Sequence, residues 1–224
     1  MLPSSAEIEC FNKLKGCRLH FAWLRLMDGE HEAALRIAID GAVSIFQRKF
    51  FDKSYMDEPV VLSTRSLLMN GGLPRERCVS SFELLAKRVF SGQGIEAENP
   101  GVVFRDLLSL KSMCPWSVTD ISRVSFPLVF RMGRKGEMLG QANGNSSLNR
   151  CPVLSDRAGK IWTPIALADE TDIDASCRDI LLVCYSPIEQ ARKVAAKTHL
   201  GSMVHMTQSF RFVIERAFLP KEEL

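Results

Sequence analysis

Ser80-Ser81-Phe82-Glu83-Leu84-Leu85-Ala86-Lys87-Arg88-Val89-Phe90-Ser91-Gly92-Gln93-Gly94 is the stretch from which the fold is read outward. Ser80 followed three residues later by Glu83 is a capping box: each side chain satisfies a backbone N–H that the first helical turn leaves orphaned. Leu84, Leu85, Arg88 and Val89 then continue a helix that stops at Gly92. No strand is read before Gly92-Gln93-Gly94, so its glycines end a helix rather than cradle a phosphate.

Downstream, Asn99-Pro100 opens another helix carrying Val102, Val103, Leu107, Leu108 and Leu110, with Pro at the position that needs no N–H. Upstream, residues 59–70 form a helix ending at Gly71-Gly72. Residues 30–50 form a longer one, whose Leu35, Ile39, Ala42, Val43, Phe46 and Phe50 make one apolar stripe. Arg36, Asp40, Ser44 and Gln47 form its polar stripe. In residues 18–27, Leu19, Phe21 and Trp23 alternate with His20 and Ala22, which reads as a strand.

Beyond residue 125 the signals turn to strands. Phe126–Met132 and Glu137–Gly140 flank Gly133-Arg134-Lys135-Gly136 as an expected hairpin. Cys151–Leu154 and Lys160–Leu167 flank a second turn at 155–159, and Ile180–Tyr185 is a short buried strand. Asn143–Ser147 reads as a loop. Ser186-Pro187-Ile188-Glu189 reads as the capped start of a last helix. Helices mainly in the first half and strands mainly in the second give an α+β class with segregated layers.

The 224 residues, 46% apolar and 25% charged, suit one globular domain able to bury a core without disulfides or metal. The net charge of +3 is too small to indicate nucleic-acid binding by itself. Nothing in the first residues resembles a signal peptide and no window is apolar enough to span a membrane, so a cytoplasmic protein is expected. The seven cysteines are scattered, with no pair at metal-ligand spacing, and read as reduced, packed thiols. His199 and His205 lack the companions a metal site needs, so no metal and no cofactor is expected. Nucleophile elbows, Walker loops, dinucleotide fingerprints and zinc-protease motifs are missing from the sequence.

The middle of the chain resembles a known family. Ser80, Ser81, Glu83, Leu85, Arg88, Gly92 and Gly94 precede Asn99, Pro100, Val102, Ser109, Leu110 and Lys111, and then Pro115 and Asp120-Ile121. Arg65 and Gly72-Leu73-Pro74 lie before them; Arg131 with Gly136-Glu137, and Asp156 with Gly159, lie after. This ordered series, over about residues 60–185, is similar to the B-three/B-four domain of the bacterial phenylalanyl-tRNA synthetase beta subunit in its freestanding form. The resemblance implies an α+β fold built on a β-sandwich of unusual topology with a helical layer. In the synthetase that module hydrolyses tyrosine mistakenly joined to tRNA.

Departures from the family pattern fall on the pocket. Val103 and Asp106 replace its Asp and Asn, Ser117 stands for its histidine and Val183 for its glutamate. Pro164–Ala168 resembles the lead-in to its glycine-rich loop, but Asp169-Glu170-Thr171-Asp172 replaces the glycines. The Trp- and Arg-rich strand of freestanding members is missing. The resemblance therefore implies a tRNA- or aminoacyl-tRNA-binding module with altered or lost editing chemistry. The alternatives are a small-molecule-binding or hydrolytic protein on the same scaffold, or a non-catalytic partner-binding domain. The candidate pocket residues are Asp106, Ser109, Ser117, Asp169 and Thr171; the candidate RNA-backbone contacts are Lys87, Lys111, Arg192, Lys193 and Lys197. A buried Asp106 must pair with an arginine or keep a proton, and only the second would mark it as functional.

Overall fold

The computed structural model describes residues 8–27, 32–95, 99–141, 144–165, 173, 177–198 and 210–218. Two strands come first, β1 (Cys10–Asn12) and β2 (Cys17–Leu26). Four helices follow: α1 (Glu32–Lys49), α2 (Pro59–Asn70), α3 (Ser81–Phe90) and α4 (Pro100–Ser112). Then come β3 (Trp116–Asp120), β4 (Leu128–Met132), β5 (Met138–Gln141), β6 (Gly144–Ser147), β7 (Pro152–Ser155), β8 (Ile161–Trp162) and β9 (Asp179–Pro187). The chain continues into α5 (Ala191–Lys197) and β10 (Phe210–Phe218).

The class is α+β, with two four-stranded sheets and a two-stranded ribbon. The antiparallel sheet β10-β2-β9-β3 is the central layer. Along β9, Ile180, Leu182 and Cys184 face the core shared with α1, α3 and α4, while Leu181, Val183 and Tyr185 face the second sheet, β1-β4-β7-β8. Covering on both faces explains why β9 is a continuous apolar run from Ile180 to Tyr185; a half-solvated antiparallel strand would alternate. On the helical side Phe46, Phe82 and Tyr55 meet edge to face or tilted, with centroids about 6 Å apart. A third cluster joins Leu68 and Leu73, at the end of α2, to Val153 of β7.

Local helix signals hold. Ser80 Oγ accepts from Glu83 N (3.3 Å) and Glu83 Oε2 accepts from Ser80 N (2.8 Å), closing the capping box. Asn99 Oδ1 accepts from Gly101 N and Val102 N. Gly92 and Gly94 take φ of +84° and +67° and receive the end of α3, as read.

Three readings are corrected. β4 and β5 do not form a hairpin: β4 pairs with β1 and β7, and β5 pairs with β6. The ladder of β4 continues instead through Gly133, whose N donates to Cys151 O at 2.7 Å. The loop expected at 143–147 contains β6 from Gly144 on, because ladder bonds need only backbone. Ser186 does not cap a helix; it is fully buried at the end of β9, and α5 starts at Ala191 after a short 3-10 turn.

Burial decides one acid-sensitive group. His20, on the helix-facing side of β2, is 8% exposed and its Nε2 finds no hydrogen-bond partner among the described residues. Desolvation, with the nearby Arg18 charge, lowers its pKa to about 4. The unfolded chain, titrating near 6.5, binds more protons between those values, so stability falls as the pH drops through that window and is unaffected above it. The total loss is on the order of 3 kcal/mol. Denaturant titrations at pH 7 and pH 4.5 should show it, and His20→Leu should flatten the difference.

Candidate binding site

A cavity of about 550 Å³ opens between the helical layer and the strands. One wall is the α2 face carrying Ser63, Thr64 and Leu67; the other is Phe130 and Met132 of β4 with Tyr185 of β9. Proline side chains (Pro115, Pro152, Pro164 and Pro187) fill the corners, where strands begin or end. The turn before β2 supplies the rim. There Asn12 Nδ2 donates to Cys17 O at 2.7 Å and Leu14 N donates to Asn12 Oδ1, fixing Gly16 at φ +80°.

Tyr185 is 1% exposed and its ring lies 5.4 Å from that of Phe130. Its hydroxyl shares a 3.0 Å hydrogen bond with Ser117 Oγ. Burial pushes the Tyr185 phenol up, so it stays neutral. Thr64 Oγ1 is already committed to Val60 O. At the mouth stand two exposed charges of opposite sign, Lys15 and Glu189. Among the described lining residues Glu189 is the single carboxylate, and no histidine or cysteine takes part. The site can hold a compact, partly apolar molecule with charged ends.

The structure separates the residues singled out from the sequence. Asp106 and Ser109 share the buried side of α4. Asp106 pairs with Arg105 (Nη2 to Oδ1, 2.7 Å), the structural branch of the two outcomes expected for it. Ser117 pairs with Val183 across β3 and β9 and faces the second sheet. That is the side of the central sheet opposite the α4 core. Asp106, Ser109 and Ser117 do not line the cavity, although Ser117 anchors the tyrosine that does. Asp169 and Thr171 lie outside the described residues, as do His199 and His205.

Lys87, Lys111, Arg192, Lys193 and Lys197 are all exposed. Lys111 and Lys197 line a second, apolar depression beside α1 together with Lys49. The expected family features outside the pocket are structural here. Arg131 grips Glu137 with two hydrogen bonds of 2.9 and 2.7 Å, holding the Glu137 pKa near about 2. Asp156 accepts from Ser125 N and Lys160 N, closing its turn with Gly159 at φ +93°. The seven cysteines are free; burial raises the Cys10 thiol to about 12 and pushes that of Cys184 well above its usual value. Among the described residues no group of three His, Cys, Asp or Glu side chains is placed to hold a metal ion, and no helix is long and apolar enough to cross a membrane.

The cavity was illegible in the sequence because its lining comes from seven separate segments and its residues are ordinary. A serine-threonine face on α2 (Ser63, Thr64, Ser66) was the one signal available. Against known proteins, no family model and no curated sequence matches the chain. Among solved structures it is similar to an N-terminal fragment of the phenylalanyl-tRNA synthetase beta subunit from Pyrococcus horikoshii, at 9% identity and a TM-score of 0.44. The similarity covers 95% of this chain and spans about half, 55%, of that one.

Proposed function

We propose that the protein is a non-hydrolytic binding module for an aminoacyl-sized group, presented free or on the end of a tRNA. The observation that carries this reading is the 550 Å³ cavity with an apolar floor and opposite charges at its mouth. Glu189 offers a carboxylate to an α-ammonium; Lys15 offers an ammonium to a carboxylate or a phosphate. Phe130, Leu67 and Tyr185 offer apolar surface to a side chain. The RNA part of the reading is supported by the ordered sequence resemblance over residues 60–185 and by the exposed basic side chains Lys87, Arg192 and Lys193. Phosphate contact needs only Lys or Arg on an accessible face.

Calorimetric titration with free phenylalanine and tyrosine, and filter binding with charged and uncharged tRNA, test the two forms of the ligand. Binding of either should fall at least tenfold in Ser63→Trp, which fills the cavity from α2 with an indole, while the melting temperature holds. Turnover of tyrosyl-tRNA should stay at the uncatalysed rate, since general acid–base help is worth typically 10²–10⁴-fold and the positions of the family's histidine and glutamate hold Ser117 and Val183. Failure of both ligands, or binding indifferent to Ser63→Trp, overturns the reading.

A further inference from the structure

The positive charge of the chain gathers at one end of the fold. The turn after α2 (72–79), the segment at the end of β4 and after it (131–137) and the turn before β7 (147–151) carry six basic side chains, Arg75, Arg77, Arg131, Arg134, Lys135 and Arg150. Against them stand two carboxylates, Glu76 and Glu137. That is an excess of four in a chain whose whole excess is three. The intervening sequence from 138 to 149 adds no charge of either sign.

Packing makes these three segments one surface. Arg77 Nη2 donates to Ser147 O at 2.7 Å, tying the first to the third. Gly133 N donates to Cys151 O and Arg150 N donates to Gly133 O, tying the second to the third. The Arg150 side chain lies along Gly72, where an added Cβ would come within 3.4 Å of its Cδ. Arg131 is committed to Glu137, but Arg75, Arg134, Lys135 and Arg150 are exposed, and their side chains form no ion pair or hydrogen bond among the described residues. Turn chemistry does not account for Arg150, since Asn or Gly would hold its φ of +61° more easily. The same end is an edge of the cavity. Gly71, Met132 and Pro152 line it, each next in sequence to a residue of this surface, and Asn70 beside them is exposed.

We infer that this surface carries the sugar–phosphate backbone of a single-stranded RNA end whose terminal group occupies the cavity. The inference rests on the function proposed above for the class of partner and adds which residues hold the strand. Cations on three separate segments suit a ligand with charges spaced along its length, whereas a small anion needs them converging on one point. Five of the six basic side chains are arginines, whose planar fork takes two phosphate oxygens at once. A strand leaving the cavity across Gly71 and Met132 meets these side chains at once.

Fluorescence anisotropy with end-labelled single-stranded RNA and with uncharged tRNA tests this. Four phosphate contacts on a single strand give a log–log salt slope of about −2.8, or about a fifty-fold loss of affinity from 50 to 200 mM salt. Arg75→Gln, Arg134→Gln and Arg150→Asn combined should weaken binding at least tenfold and flatten the slope to about −0.7. The melting temperature should hold, since the three side chains are exposed and Asn suits the backbone at 150. Arg36→Gln, at an equally exposed arginine on α1, is the charge control and should leave affinity and slope as they are. RNA bound undiminished by the triple variant overturns the inference and leaves the cavity reading standing, and so does a loss seen only on replacing Lys87, Arg192 and Lys193. If free phenylalanine or tyrosine binds in a Ser63-dependent way and no RNA binds, the inference falls while the cavity reading survives in its free-ligand form. Anionic vesicles bound by the native chain and not by the triple variant, with RNA unbound, overturn it too and assign the arginines to a lipid surface.

Discussion

Gly133→Ala should cost about 3 kcal/mol or more and lower the melting temperature by roughly 6–12 °C, a large loss for the addition of one methyl group. An ideal Cβ at Gly133 would sit 2.0 Å from the Leu148 carbonyl oxygen and 2.9 Å from its carbon. Those atoms are backbone, and Leu148 is itself fully buried, so neither side can give. Relief requires parting the strands where Gly133 N donates to Cys151 O and Arg150 N donates to Gly133 O. Gly136 is the control. Its φ of +83° favours glycine, but a Cβ there meets nothing within 4 Å, so Gly136→Ala should cost only about 1 kcal/mol. Thermal melts of the two variants check the contrast; equal losses would mean that the close approach at Gly133 does not exist.

The same glycine shows why the first hairpin was misread. Gly133-Arg134-Lys135-Gly136 has turn chemistry, and the strands either side of it have strand composition. What the local sequence cannot show is that β4 prefers a partner twenty residues on, with Gly133 admitting that partner's backbone. The β5–β6 ribbon is then an excursion, held back by the Arg131–Glu137 pair. β3 went unread for a related reason: five residues, Trp-Ser-Val-Thr-Asp, give too short an alternation to count, and only their pairing with β9 makes them a strand. Where the signal is a side chain meeting its own neighbouring backbone, as at Ser80 and Asn99, or a glycine taking a positive φ, as at Gly92, sequence and structure agree. Pairings decided by distant segments stayed hidden.

Legibility of the candidate site follows the same division. Asp106 and Ser109 share one side of α4, which their three-residue spacing on a helix dictates locally. Ser117 is expected in the same pocket, yet strand alternation puts it beyond the central sheet; once Trp116 and Val118 face the helices, Ser117 must face away. Lys111, Lys193 and Lys197 read from the sequence as a solvated or RNA-facing set. Lys111 and Lys197 instead join Lys49 at the end of an apolar depression, a grouping of three helix ends that no spacing along the chain predicts.

Glu83→Ala should destabilise by about 2–4 kcal/mol, more than the 0.5–2 kcal/mol that a cap alone is worth. The difference is Arg65, one and a half helices upstream in sequence. Its Nε donates to Glu83 Oε1 at 2.6 Å while Glu83 Oε2 keeps the Ser80 amide, so one carboxylate serves two elements. Glu83 is 4% exposed, and removing it takes the carboxylate from a guanidinium whose Nη2 also lies 3.6 Å from the Met56 thioether. Breaking a fully buried pair costs about 3–5 kcal/mol, but the Arg65 side chain is 32% exposed and recovers part of that from water, which brings the sum down. Glu83→Gln separates the contributions, since its amide oxygen can still accept from Ser80 N while the charge on Arg65 goes unmatched. A double-mutant cycle with Arg65→Met then gives the coupling directly, and should return 1–3 kcal/mol, in the usual range of about 0.5–3 kcal/mol for groups in contact. A coupling near zero would show that Glu83 acts through its cap alone. Because neither residue lines the cavity, ligand binding measured below the melting transition should survive all three substitutions.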